Sequence, residues 1–321
     1  MKPRIHISKC ITFDSCRWNG LSIASETVDL LKPHVEFLPA CPEKEIGLGV
    51  PRKPIRLVKM SDGIHLLQQE TEADVTEKMK RYAADHVSKL KDIDAFILKS
   101  RSPSCGMKDV KLYPSLGRVA KLKEKAKGLF AEEVYKRFSN VPIEDEGRLT
   151  NFSIREYFLT RVFATARLRA LMRDPSMGAL VQFHAENKLL LMAYHQTVLR
   201  ELGRIVANHE HLPEGEVLRL YEDGFRRAFA KQPRYNSNIN VLMHALGYFS
   251  DGLIREEKAF FLDELEKYKL GKMPLSVPIS IIKSFIVRFG EPYLKQQTYF
   301  DPYPEALMEL KDSGEGRKLK S

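Results

Sequence analysis

Hydrophobic positions in the first part of the chain fall into three short apolar runs, set between segments of helical period. Arg4–Ser8 alternates apolar and polar residues and leads into Cys10. Val35–Leu38 is the second run and ends at Pro39-Ala40-Cys41. Ala95-Phe96-Ile97-Leu98 is the third, followed by Lys99-Ser100-Arg101-Ser102-Pro103-Ser104-Cys105-Gly106. Runs this short, closed by turn-forming residues, predict buried strands. Between them, Ile23–Leu31 carries a helical period with Ser22 or Ser25 as its cap. Asp74 caps a predicted helix over Val75–Leu90, where Met79, Tyr82, Ala83 and Val87 share one face. Lys121–Phe138 reads as a further, heavily basic helix.

This order predicts an α/β, Rossmann-like domain, a parallel sheet with crossover helices. Ligand sites in such sheets lie beyond the carboxyl ends of the strands. Cys10, Cys41 and Cys105 each follow a predicted strand, so separations of 31 and 64 residues become neighbourhood in space.

The pattern changes after residue 150. Phe152–Met172 is helical and studded with arginine, and Leu180–Ala207 reads as one long helix ended by the Asn208–Gly215 turn cluster. Val217–Ala230, Ile239–Phe249, Ile254–Leu270 and Pro278–Arg288 are helical as well, and no convincing strand occurs among them. The reading is an α/β domain over residues 1–165 and an all-α domain over 170–310, with Phe152–Met172 as connector and a disordered tail over 311–321.

Composition adds charge and cysteine chemistry. The net charge is +10 over 321 residues. Residues 1–150 hold 27 basic and 21 acidic side chains and the remainder 25 and 21, so both parts are basic and suited to a polyanionic partner. The apolar stretches are broken by charge well short of the roughly 18–20 residues of a membrane span, so no membrane association is expected. The N-terminal residues run straight into a strand with no apolar signal core, which places the expectation in the cytoplasm. A monomer is the working expectation for the oligomeric state.

All four cysteines, Cys10, Cys16, Cys41 and Cys105, lie in the first third of the chain. A reducing compartment disfavours structural disulfides and leaves metal binding or catalysis as the better use. No Cys-x-x-Cys pair is present, so neither a zinc ribbon nor a ferredoxin run is matched. Three ligands supplied singly by strand ends leave one coordination position open, the mark of a catalytic centre. Cys16 follows no strand of its own and reads as a spectator, with closure of the shell as a fourth ligand the alternative. Glu43, two residues after Cys41, is positioned to relay protons. Ser102 and Ser104 offer hydroxyls beside Cys105. Arg17, Trp18 and Asn19 add a cation, an aromatic face and an amide.

The segments Ser8-Lys9-Cys10, Cys16 to Gly20, Cys41-Pro42-Glu43 with Gly47 to Arg52, Lys99 to Gly106, and Glu144 to Leu149 together resemble the bacterial thiouracil desulfidase (TudS-like) family, over roughly residues 1–165. The resemblance implies a 4Fe-4S cluster held by Cys10, Cys41 and Cys105, with one open iron that takes sulfur from a thiolated pyrimidine without net redox. It implies catalytic roles for Glu43 and Ser102, and substrate contacts are expected from Arg17, Asn19, Lys99 and Ser104. Asn19 stands where the family usually has aspartate, and Cys16 where an aliphatic residue is common.

Residues from about 180 to 305 resemble a second family, the YbgA-like domain, through Tyr235 to His244, Gly271 to Pro274, and Tyr293 to Pro304. The fusion resembles enzymes that remove sulfur from 4-thiouridine in transfer RNA, with the helical domain gripping the RNA. In that picture Arg155, Arg161, Arg167, Arg169, Arg226, Arg227, Lys231 and Arg234 are candidates for phosphate contacts. Tyr235, His244 and Tyr248 are candidates for RNA contact or for core. Two other readings stand beside this one: a desulfidase of free thiouracil or thiouridine monophosphate, and a non-enzymatic RNA-binding or repair-accessory protein with a structural metal centre.

Overall fold

Ser25 starts the first helix by accepting a hydrogen bond from the Val28 amide, and Asp74 receives the Thr76 amide at the start of another. Around such signals the chain folds as β1 (Arg4–Ser8), α1 (Glu26–Leu31), β2 (Glu36–Ala40), α2 (Pro42–Glu45), β3 (Ile55–Met60), β4 (Gly63–Gln68) and α3 (Thr76–Lys89). It continues as β5 (Ala95–Leu98), β6 (Val110–Tyr113), β7 (Lys125–Ala126), α4 (Leu129–Arg137) and β8 (Ile143–Asp145). The structure is a computed structural model and describes residues 2–308; the predicted tail lies outside the described residues.

The three apolar runs pair as expected, in a sheet ordered β2-β1-β5-β8 with every pairing parallel. Ser8 stands opposite Ala40 and Ile7 opposite Ile97, so the carboxyl ends of the strands finish level. β5 is buried along its whole length, as a central parallel strand covered on both faces must be. Met79, Ala83 and Val87 of α3 share one hydrophobic core with Leu129, Phe130, Ala131 and Val134 of α4 and with Phe96 and Leu98 of the sheet.

A second sheet, ordered β4-β3-β6-β7, was not anticipated. Its strands mix apolar and charged residues, and Leu57, Leu66, Val110 and Leu112 join the same core. The expected helix over Lys121–Phe138 is corrected to Leu129–Arg137, because Ala126 pairs with Val110 instead. The lysines at 121, 123, 125 and 127 recur every second residue, which is a strand period and not a helical one.

The described residues divide into two compact units, one over 2–166 with 304–308 and the other over Arg167–Tyr303. α5 (Phe152–Arg173) spans the division. The second unit holds helices and no strand among its described residues: α6 (Met177–Glu186), α7 (Lys188–Tyr194), α8 (Gln196–Ala207), α9 (Glu214–Ala228), α10 (Tyr235–Gly247), α11 (Arg255–Lys269), α12 (Ser276–Phe289) and α13 (Pro292–Lys295). The long helix expected over Leu180–Ala207 is corrected to three. Asn187 closes the first by donating its side-chain amide to Phe183 O, and His195 caps the third through Nδ1 and the Val198 amide. Asn238 is buried between two tyrosine hydroxyls, donating to Tyr268 at 3.0 Å and accepting from Tyr299 at 3.1 Å. Part of the sequence signature of this unit is therefore internal scaffolding. No helix among the described residues is long and apolar enough to cross a membrane.

Candidate active site

The parallel register delivers three chain segments to one sheet edge. Cys10 lies two residues past β1, Cys41 directly follows β2, and Cys105 lies in the loop after β5. These three strands are immediate neighbours. All four cysteines are buried free thiols. The predicted spectator, Cys16, is also at this edge. A bridge between Ile11 and Ile23 closes the loop that carries it, and its backbone carbonyl accepts from the Cys41 thiol at 3.9 Å.

The Cys105 loop is clamped by the start of α4. Leu129 N donates to Pro103 O, Phe130 N and Ala131 N donate to Ser104 O, and Gly128 N donates to Gly106 O at 2.8 Å. Helix amino termini carry unused donors, and here the loop carbonyls take them. Gly128 is required by proximity: a Cβ there would lie 2.3 Å from Ser104 O and 2.9 Å from Cys105 N. Gly106 is equally confined, with Ser102 O 2.6 Å from the place of its missing Cβ.

Glu43, in the first turn of α2, has its two carboxylate oxygens in different company. Oε2 accepts from Arg52 Nε at 2.9 Å and Nη2 at 2.5 Å. Oε1 accepts from Ser104 Oγ at 2.6 Å and from Ser102 Oγ at 3.4 Å. The two hydroxyls are 2.9 Å apart, and Ser102 Oγ also accepts from the Ser104 and Cys105 amides at 3.2 Å. The Glu43–Arg52 pair is withdrawn from water, with side chains 13% and 3% exposed. Arg52 additionally donates to Cys16 O and Gly49 O, which fixes the loop after α2.

A second network stands beside it. Lys99 Nζ meets Glu146 Oε1 at 2.5 Å, and Glu146 also receives Ser100 N and Ser100 Oγ at 2.8 Å. Lys99 N donates to Ser8 Oγ at 2.9 Å, and the Ser8 hydroxyl also hydrogen-bonds Cys105. Glu146 follows β8, so all four strands of the sheet contribute to this edge.

Burial dominates the thiol electrostatics. Cys10 is pushed up to about 12 by burial and then by nearby Cys41, and Cys16 is pushed up to about 12 by the same two causes. Burial raises Cys105 as well, with the Ser8 hydrogen bond pulling the other way. The neighbouring cations, Lys99 and Arg52, are each committed to a carboxylate. Thiolates here call for positive charge from a metal centre. Among the described residues no three His, Cys, Asp or Glu side chains converge as they do on a single ion. Buried thiols gathered at one sheet edge are soft donors, the ligand chemistry that an iron–sulfur centre requires.

The other sequence candidates are placed as follows. Lys99 and Ser104 belong to the networks above. Arg17 and Asn19 sit on an adjoining turn, where Asn19 Oδ1 accepts from Leu21 N. The sequence reading had Arg52 only as the end of the Gly47 to Arg52 segment and gave Glu146, Ser8 and Gly128 no site role. Their pairings depend on loop paths that no local pattern encodes. Of the proposed phosphate contacts, Arg155 and Arg169 are buried, and Arg155 donates to Leu149 O and Thr150 O, so neither presents an exposed charge. Arg167 donates to Pro302 O, Arg161 lies over the Tyr157 ring, and Arg226 and Arg227 are paired with Glu222 and Glu201. Lys231 and Arg234 are exposed.

Residues 5–146 match the family described as 2-thiouracil desulfurase, and residues 188–304 match a protein family of unknown function, DUF1722. Over 158 residues the chain is 28% identical to the uncharacterized protein YbgA of Escherichia coli (strain K12), covering 49% of this chain and 93% of that one. Over 109 residues it is 34% identical to the uncharacterized protein YbbK of Bacillus subtilis (strain 168), covering 32% of this chain and 72% of that one. Among solved structures, a 4Fe-4S-dependent thiouracil desulfidase, TudS, is 27% identical with a TM-score of 0.37, covering 46% of this chain and 93% of that one.

Proposed function

This chain belongs to the 2-thiouracil desulfurase family through residues 5–146 and carries a YbgA-like domain over 188–304, and we propose that it removes sulfur from 4-thiouridine in transfer RNA. The reaction exchanges C=S and water for C=O and hydrogen sulfide, with no electrons gained or lost. The observation that carries the reading is the carboxylate of Glu43, clamped on one oxygen by Arg52 and joined by the other to two serines beside buried cysteines.

Cys10, Cys41 and Cys105 would hold a 4Fe-4S cluster, with Cys16 remaining a thiol. When bound, such a cluster supplies a thiophilic Lewis acid for the substrate's sulfur. The chain's own residues manage the protons. Arg52 occupies Glu43 Oε2, so Oε1, which faces the two serine hydroxyls, is the oxygen that takes the proton of the attacking water. Ser104 Oγ, in contact with Oε1, passes that proton between Glu43 and the reacting atoms. Ser102 is locked by the Ser104 and Cys105 amides and orients water or the pyrimidine edge. Lys99, neutralised by Glu146, holds Ser100 and the root of the loop.

Transfer RNA as the substrate rests on the basic balance of the chain and on the helical unit joined to the catalytic one. The family's description names 2-thiouracil, which favours a free thiopyrimidine as the second reading. Anaerobic purification is expected to give brown protein with iron and acid-labile sulfide. Incubation with transfer RNA containing 4-thiouridine, followed by nucleoside analysis, is expected to show uridine in its place. Colourless, zinc-loaded protein would overturn the cluster. Turnover of 4-thiouracil with intact 4-thiouridine in the RNA would favour the second reading, and no sulfide release from either would leave a non-enzymatic RNA-binding role.

A further inference from the structure

We propose that a cavity beside the Cys105 loop binds the phosphate and sugar of the thiolated nucleotide, with Arg101 and Lys108 as its anion contacts. The inference rests on the desulfidase reading and names the part of the substrate that a bare base lacks.

The cavity has a volume of about 250 Å³. One wall comes from the two ends of the loop that carries Ser102, Ser104 and Cys105, and the other from the chain that follows β8. Ser100 and Gly147 line it, and both adjoin the Lys99–Glu146 network. Lys99 N donates to Ser8 Oγ at the end of β1, two residues before Cys10, so the cavity backs onto the cysteine edge. Its volume is below the roughly 300–1,000 Å³ of drug-sized pockets, which suits a sugar–phosphate fragment better than a whole nucleotide.

The charges around it do not balance. Asp109 is held by Lys125 at 2.8 Å, and Arg148 by Glu144 at 2.7 Å. Asp145 accepts the backbone amide of Arg148 at 2.8 Å and leaves one carboxylate against the cations that remain. Arg101 and Lys108 remain, both exposed and without a hydrogen bond or ion pair among the described residues. Arg101 also has φ +57°, the left-handed region that disfavours residues bearing a Cβ. Backbone strain of this kind gathers at functional positions, and here it falls on a cationic residue that lines a polar cavity. The α5 amino terminus at the same wall is already capped, since Asn151 Oδ1 accepts from Ile154 N at 3.1 Å. Recognition of an anion therefore falls to the two cations, and a phosphate oxygen is the anion that a thiolated nucleotide brings.

The test compares full-length, cluster-loaded enzyme with Arg101→Gly and Lys108→Ala on three substrates: 4-thiouracil, 4-thiouridine 5′-monophosphate, and transfer RNA containing 4-thiouridine. Glycine relaxes the backbone at 101 while removing the charge, so misfolding does not confound the result. Each variant is expected to lower the ratio of kcat/KM for the phosphate-bearing substrates to that for the base by about tenfold. A ratio unchanged from wild type overturns the proposal. Loss confined to RNA assigns the site to a phosphodiester, and loss on both nucleotides assigns it to any nucleoside phosphate. Wild-type enzyme inactive on all three would refute the desulfidase reading, and calorimetric titration with uridine monophosphate then decides the cavity. Weaker binding by both variants sustains it, and equal binding overturns it.

Discussion

Glu43 and Arg52 form a buried ion pair with asymmetric consequences. Glu43→Gln keeps the shape and the Arg52 contact but removes the base, so kcat is expected to fall by about 10²–10⁴. Iron and sulfide per chain should stay at the wild-type level; loss of the cluster would instead make Glu43 structural. Arg52→Met strands a carboxylate away from water, which typically costs about 3–5 kcal/mol. Denaturant unfolding should show that loss, and the double variant Glu43→Gln/Arg52→Met should recover most of it. No recovery would mean that Arg52 acts through Cys16 O and Gly49 O, not through Glu43. Much of this was legible in the sequence, because Cys41-Pro42-Glu43 follows an apolar run directly. Arg52 was not, since its pairing across nine residues depends on the loop path. Ser104 also proved the closer partner of Oε1, at 2.6 Å against 3.4 Å for Ser102, a distinction that spacing alone does not carry.

Between elements, the decisive contact is the start of α4 against the Cys105 loop. Gly128→Ala places a methyl group against backbone atoms of Ser104 and Cys105 that have no rotamer to yield. Overpacking of this kind costs about 1–3 kcal/mol, and iron per chain should fall with it. Full iron loading with an unchanged melting temperature would show that the loop does not need the close approach. A second element contact predicts a pH dependence. His6 on β1 is buried, meets His86 of α3 at 3.0 Å, and is lowered to about 3 by burial and then by His86. A depressed histidine favours the protonated unfolded chain at low pH. Its contribution is therefore whole above about pH 6.5 and is lost as the pH falls from there toward 3. Stability measured from pH 7 to 5 should decline, and His6→Phe should flatten that decline while keeping the ring contacts with Phe96 and Phe130. An identical slope in the variant would assign the decline to other groups. The parallel strands were readable because burial on both faces makes continuous apolar runs. The second sheet was not, since half-exposed strands such as Ile55–Met60 interleave arginine and lysine. The three helices over Met177–Ala207 share one apolar period, and their breaks rest on single capping side chains at Asn187 and His195.

At the scale of the whole chain, the proposal joins a catalytic unit to a helical unit that engages RNA. The structure narrows which residues in the helical unit can do so. Lys231 and Arg234 are exposed and make no ion pair among the described residues. They precede α10, whose first residue, Tyr235, is 53% exposed. Cations beside an open aromatic ring form a surface that can meet phosphates and stack bases. Phosphate contacts reveal themselves through salt, because each neutralised phosphate releases condensed counterions and contributes about 0.7–0.9 to the slope of log affinity against log salt. Lys231→Ala/Arg234→Ala should therefore bind transfer RNA more weakly at low salt, with a slope shallower by about 1.5. Its kcat/KM on 4-thiouracil should match wild type, since that base reaches the cysteine edge without an RNA grip. A slope equal to wild type would remove these two residues from the interface and return the RNA contacts to the catalytic unit. In that case Arg101 and Lys108 become the charges whose removal should flatten the salt dependence.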